Sequence, residues 1–404
     1  MKLTKLSLAA IVAVGALSSF AGATPLEEAI KGVDVSGFAR LRYIHDADEA
    51  DVNSEAIRIS GELNIVAPVA DGLACGTTLT TEGYNYPDSG ASAPTGDLGA
   101  QSFNFDKYYF LYSGVKDLAV IGGKYTIPAP WAESGYNGSR GNGLVALYSG
   151  VPNWTFAGAL YLQTNGFDAG TLDGDLLSIL SLSSDDGSAV DQVFGKDNLF
   201  ALGAIGKAGP VDLQFWAAKL DHLIDTTVFA QAAFAQSGFN VRAQVNYLKL
   251  ADFTYDTLEA LAPTVLGDDA GLFYGIEGGY KNDKFFVTAG YTQTDKDQPI
   301  YALDSDNDGF IKFGQQLYYE TTNAADIETI CVKGGATIGL FGFEAGYGFA
   351  DGSGDANPSE LYALVSYQLA PKFGIELYYS ILDDDDAIDV TANDEIQLEL
   401  KYSF

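Results

Sequence analysis

The last eleven residues, Asp394 to Phe404, place Ile396, Leu398, Leu400, Tyr402 and Phe404 on one side of an extended chain and Glu395, Gln397, Glu399, Lys401 and Ser403 on the other. A period of two with a polar residue at every second position marks a strand whose two faces meet different media. The same rhythm opens the chain. Val33, Val35, Gly37, Ala39, Leu41 and Tyr43 alternate with Asp34, Ser36, Phe38, Arg40 and Arg42. Next, Ile57, Ile59, Leu63 and Ile65 alternate with Arg58, Glu62 and Asn64. It recurs over 154–163, 239–248, 272–280, 361–369 and 375–381.

The joins sort into two lengths. Short ones include Ser113–Asp117, Ser149–Asn153, Ala208–Pro210, Ser237–Gly238, Lys281–Lys284, Gly339–Gly342 and Ala370–Phe373. Long ones include Gly83–Ser102, Thr126–Asn142, Asn165–Asp197, Leu250–Ala270, Asp295–Asp326 and Asp383–Asn393. Strict alternation of short and long joins is the mark of an outer-membrane barrel, with periplasmic turns and outer loops. The pattern predicts an all-β, transmembrane antiparallel barrel of about eighteen strands. Sixteen is the alternative, because the 84–150 region alternates poorly. Ile311–Tyr319 is also strand-like, and it is assigned to the seventh outer loop to keep the strand number even.

Composition agrees. Gly reaches 46 residues and aromatics 13%, with 24 Tyr and 24 Phe. The net charge of −32 excludes a nucleic-acid partner, which needs a basic footprint. Lys2 and Lys5 precede an apolar stretch, Leu6–Phe20, and the small residues Ala21-Gly22-Ala23. This reads as a signal peptide over 1–23 and a barrel domain over 24–404. Cys75 and Cys331 are too few for a disulfide framework. The two histidines, His45 and His222, lie in no hydrolase or metal motif, so an enzyme is not expected.

Thr24–Gly37, Gly123–Trp131 and Gly138–Gly150 resemble the Campylobacter-type major outer membrane protein family of porins, and the terminal Tyr402-Ser403-Phe404 is similar to the signal read by outer-membrane assembly machinery. The resemblance implies an eighteen-stranded homotrimeric pore in the bacterial outer membrane, cation preference, and calcium near the constriction. Its calcium site is not matched to particular residues here.

The expected function is therefore a water-filled channel for cations and small hydrophilic solutes. A substrate-specific channel and a surface adhesin or antigen on a barrel are the alternatives. The third outer loop, Thr126–Asn142, is the expected constriction and carries Trp131, Glu133 and Arg140. Alternation points Arg40, Arg42, Arg58 and Arg242 into the lumen, the first three on one wall. Acids expected there are Asp34, Glu62, Asp212, Glu277, Glu344, Glu376, Glu395 and Glu399. They outnumber the lumen bases, so the mouth should concentrate cations. Arg opposite acid would set a transverse field; simple pairing that holds the third loop is the plainer reading. The acidic runs Asp185-Asp186 and Asp383–Asp386 are solvated loop tips or bridge divalent ions to lipopolysaccharide. Tyr43, Tyr108, Tyr109, Phe110, Tyr112, Tyr378 and Tyr379 read as interfacial aromatics. In the seventh loop, Asp304, Asp306 and Asp308 precede Gly309 in a D-x-D-x-D-G spacing, and Phe310 offers a carbonyl. That spacing suits weak calcium binding, although Gln315 stands where a bidentate Glu would be.

Overall fold

The computed structural model describes residues 32–48, 53–85, 102–136, 138–164, 198–221, 223–252, 255–256, 268–296, 300, 307–314, 316–317, 325–352, 357–383 and 393–404. They form eighteen strands: β1 (Asp34–Asp48), β2 (Asn53–Ala70), β3 (Leu73–Asn85), β4 (Ser102–Val115), β5 (Leu118–Thr126), β6 (Arg140–Val151), β7 (Trp154–Thr164), β8 (Leu199–Ala208) and β9 (Val211–Leu220). The second half holds β10 (Ile224–Gln236), β11 (Phe239–Leu250), β12 (Ala270–Lys281), β13 (Phe285–Thr294), β14 (Glu328–Ile338), β15 (Phe341–Asp351), β16 (Ser359–Ala370), β17 (Phe373–Asp383) and β18 (Asn393–Ser403). Each strand pairs antiparallel with its sequence neighbours, and β1 pairs with β18, so the sheet closes into a barrel. The closing register sets Arg42 opposite Glu399, and Phe404 exchanges backbone hydrogen bonds with Gly37. Closure leaves no unpaired edge, which a hydrocarbon medium requires.

Eight tight turns join the strands at the end where the chain enters β1. Left-handed residues shape them, among them Gly72, Asp117 and Asn153, and Ser237 with Gly238. Positive φ is what a two-residue turn between twisted strands demands. At the other end the joins are less uniform than the sequence suggests. Only residues 49–52 separate β1 from β2, and only 221–223 separate β9 from β10. Strict alternation of short and long joins therefore fails at these two outer connections.

The faces follow the period-two pattern. Leu41, Ile59, Leu202, Ile276, Val332, Leu361 and Leu398 are exposed on the outside, as a lipid-facing surface requires. Near the turns, outward rings pack side by side: Phe239 with Tyr280, Phe341 with Tyr367, and Tyr402 with Phe404. These form an aromatic girdle at one membrane boundary. Tyr108, Phe110, Tyr112 and Tyr379 also face outward. Tyr109 and Tyr378 do not. Tyr109 packs on Tyr125 and Tyr378 bonds to buried Glu360, so both belong to the interior. Cys75 is half-buried on β3 and Cys331 buried on β14, and both are free. Among the described residues no helix is long and apolar enough to cross a membrane; the strands do so.

Candidate functional site

The barrel interior is filled from two directions. Residues 127–136 and 138–139, between β5 and β6, turn inward and cross the lumen. On one side Trp131 is buried at 2% exposure, and its Nε1 donates to Asn246 Oδ1 on β11 at 2.9 Å. On the other, Tyr136 donates its hydroxyl to the Thr81 carbonyl on β3 at 2.7 Å and meets Phe38 of β1 edge-on. Since β11 stands across the ring from β1–β3, this loop spans the pore rather than lining one wall.

The loop is held at its root by Arg140. The guanidinium is wholly buried, with Nε 3.1 and 3.0 Å from the two Asp106 oxygens and its terminal nitrogens donating to the carbonyls of Ser139 and Gly135. Asp106 reaches it because the β3–β4 register shifts between Thr78 and Leu79, skipping Asp106. The bulge turns Asp106 and its neighbour Lys107 both inward. Burial removes both Trp131 and Arg140 from the water path, and Arg140 pairs and holds the third loop as in the plainer of the two readings of the arginines. Glu133 keeps partial exposure at the tip.

A second inward segment, residues 307–314 and 316–317 of the seventh outer loop, docks on the first. Asp308 N–H donates to Ala132 O and Gly309 N–H to Pro130 O, each at 3.1 Å. Asp308 Oδ2 accepts from the Ser134 amide at 2.9 Å and from the Ser134 hydroxyl. Gln244 on β11 serves the segment as a strand would: its amide nitrogen donates to Gly309 O at 2.6 Å and its oxygen accepts from Ile311 N–H at 2.8 Å. The Phe310 ring lies edge-on between Phe229 and Phe273. Ile311, Phe313 and Leu317 then sit over inward glycines of β12, β13 and β15. A Cβ on Gly275, Gly290 or Gly348 would come within 3.4, 2.5 and 2.9 Å of them respectively. At the far end Glu360, fully buried, accepts from the backbone amides of Gln316 and Leu317 at 3.0 and 2.9 Å and from Tyr378 at 3.1 Å. The segment therefore runs along the wall from β10 to β17.

The charged wall lies where β18, β1 and β2 meet. Arg42 pairs with Glu399 at 2.7 Å and stands opposite Arg58 in register; Arg40 donates to Ser60 at 2.8 Å and lies 5.4 Å from the Tyr136 ring centre. Across the ring, Arg242 pairs with Glu277 at 2.9 Å. Glu62 accepts from Asn64, and Glu344 from Tyr362. Asp212 pairs with Lys207 beside a periplasmic turn, away from the constriction. Glu376 stands opposite Glu399, and Glu395 opposite Asp46. Asp34 is exposed at the start of β1.

Asp304, Asp306, His222, Asp185, Asp186 and Asp384–Asp386 lie outside the described residues. Among the described ones, no group of three or more metal-ligating side chains is gathered. The sequence reading missed Asp106, Gln244, Asn246 and Glu360. The last three were legible as inward polar positions on regular strands, whereas Asp106 is hidden by its bulge.

The model of the Campylobacter major outer membrane protein family matches residues 1–403. The chain belongs to that family. Solved structures agree on the architecture. Pseudomonas aeruginosa OccK5 (OpdH) superposes at a TM-score of 0.69 with 10% identity, covering 92% of this chain and 98% of that one. Acinetobacter baumannii OccAB1 gives 0.67 and 12%, covering 96% and 99%. Pseudomonas aeruginosa OccK9 (OpdG) gives 0.69 and 15%, covering 93% and 99%. At such identities the likeness shows the fold alone. No curated relative matches the chain. Family and barrel together make this major outer membrane protein a porin channel of the outer membrane.

Proposed function

We propose that this porin is a water-filled diffusion channel that prefers cations and passes small hydrophilic solutes. The observation that carries the reading is how the lumen arginines are spent. Arg42, Arg140 and Arg242 each close on a carboxylate, Glu399, Asp106 and Glu277. The basic side is largely neutralised by its own partners. Further acids face the lumen, including Glu376 and Glu395, on a chain of net charge −32. A low-dielectric tube focuses that surplus and enriches cations at its mouth. The wall of Arg40, Arg42 and Arg58 on one side still orients dipolar solutes. Reversal potential across a bilayer under a KCl gradient tests the reading. Glu133→Gln should lower the preference for K⁺ and Arg42→Gln should raise it; an anion-selective wild-type channel would overturn it.

The remaining parts are proposals on the same footing. Residues 1–23 are removed on export, Phe404 presents the last strand to the assembly machinery, and three copies associate in a membrane rich in lipopolysaccharide. Weak calcium binding by Asp304, Asp306, Asp308 and the Phe310 carbonyl would brace the seventh loop. Asp308 Oδ2 is already engaged by Ser134, which leaves the other oxygen for the ion and favours low affinity, about 10⁻⁴ to 10⁻³ M. Protection of residues 300–315 from protease by calcium, lost in Asp306→Asn, is the expected result.

A further inference from the structure

We propose a subsite for zwitterionic solutes, of the α-amino-acid class, at the periplasmic mouth. It rests on the channel reading and adds a binding step to it. A cavity of about 650 Å³ opens there on the inner wall, across the turn-side ends of β14 to β18. It exists because inward positions on neighbouring strands are small: Gly342 on β15, Ser366 on β16, Gly374 on β17 and Ser403 on β18. A Cβ on Gly374 would meet nothing within 4 Å.

Four charged side chains line this space, Lys372, Glu376, Glu399 and Lys401; Glu399 is held by Arg42, while Glu376 and Lys401 face each other across it without an ion pair. Glu376 has no hydrogen-bond or ion-pair partner among the described residues, and the Lys401 ammonium touches only the face of the Phe38 ring, 4.6 Å from its centre. Other inward charges behave differently, as the close pairs Arg42–Glu399 and Arg242–Glu277 show. The register places Glu376 and Lys401 near each other on the inner wall. Gly374 stands opposite Lys401 and Glu376 opposite Glu399, so Glu376 and Lys401 are diagonal neighbours, roughly 7 Å apart along the sheet. At that spacing long side chains can meet, as Arg40 and Glu399 do at 3.8 Å and Lys333 and Glu344 at 4.0 Å, but no such contact joins Glu376 and Lys401 here. They can be bridged by a molecule carrying the reverse pair, its ammonium on Glu376 and its carboxylate on Lys401. The Ser366 and Ser403 hydroxyls stand on the same cavity wall as further donors. A lone cation would meet the repulsion of Lys401, and a lone anion that of Glu376. The zwitterion is the species that satisfies both.

Saturation-transfer NMR on the whole protein in detergent micelles tests this. The probes are L-alanine, ethylammonium and propionate, each of the last two lacking one charge of the first. Transfer to alanine should saturate and exceed that to either half-molecule at least fivefold. Glu376→Gln and Lys401→Met should each bring alanine down to the half-molecule level, while Lys333→Met, on the inner wall outside the cavity, keeps the wild-type signal. Should either charge variant fail to fold, Gly374→Leu fills the cavity and leaves both charges in place; it should lose the alanine signal. Equal transfer to all three probes, or an alanine signal kept in the folded variants, overturns the subsite. Bilayer conductance is read in parallel. A conducting channel without saturable alanine transfer overturns the subsite alone, and absence of conductance overturns the channel.

Discussion

Arg140 carries more of the constriction than any other single side chain. It is buried without exposure, its nitrogens are shared between one carboxylate and two loop carbonyls, and it stands where the third outer loop re-enters the sheet. Removing one partner of a buried ion pair leaves the other charge uncompensated, at a cost of about 3–5 kcal/mol. Arg140→Gln should therefore lower the unfolding temperature seen by heat-modified gel mobility. It should also raise single-channel conductance and its noise as the crossing loop loosens. Asp106→Asn should give the same two changes, and the double variant should be no worse than the worse single one. Additive losses would mean that the two side chains act separately. Trp131 makes a related but smaller prediction. Trp131→Phe keeps most of the apolar volume but drops the bond to Asn246, so conductance noise should rise with the melting temperature within a few degrees of wild type.

At the scale of elements, most of the eighteen strands were open to view in the sequence because each offers one face to lipid and turns the other to the interior, although the 84–150 region alternates poorly. A period of two follows whatever the order of the strands. The segment from Ile311 was legible only in part. Its alternation of Ile311 and Phe313 is real, yet it reports packing on the inner wall instead of a place in the sheet. What decides this lies far off in sequence: Gly275, Gly290 and Gly348 leave notches, and Gln244 supplies the missing ladder bonds. No pattern local to residues 307–317 could disclose that. The Asp106 clamp was hidden for a different reason, since a bulge breaks the very period by which inward residues are found. The arginines of β1, β2 and β11 were legible as inward; their partners were not, because pairing depends on register across strands. The docked segment yields a prediction of its own. Gly290→Leu would drive a side chain into the Phe313 ring, and Phe313→Ala would empty the notch. Both should expose residues 307–317 to limited proteolysis of the assembled protein, while wild type resists. Resistance retained in both variants would show that Gln244 and Glu360 suffice to hold it.

For the molecule as a whole, charge and closure set the behaviour. Selectivity that arises from a diffuse acid surplus must fade with salt, because the screening length falls from about 10 Å at 0.1 M to about 3 Å at 1 M. The ratio of cation to anion permeability should fall severalfold between these concentrations; a constant ratio would point to a tight coordinating filter instead. Closure acts earlier in the life of the chain. Arg42 and Glu399, which meet across the seam, are 357 residues apart in sequence. Every other neighbouring pair of strands can zip as it is delivered, but this one has to wait for the final residues to arrive. Until then both rims are sticky templates for foreign strands. Folding in the periplasm is thus a race between sealing the ring and aggregation, and a nascent chain has every reason to be escorted until its two ends meet.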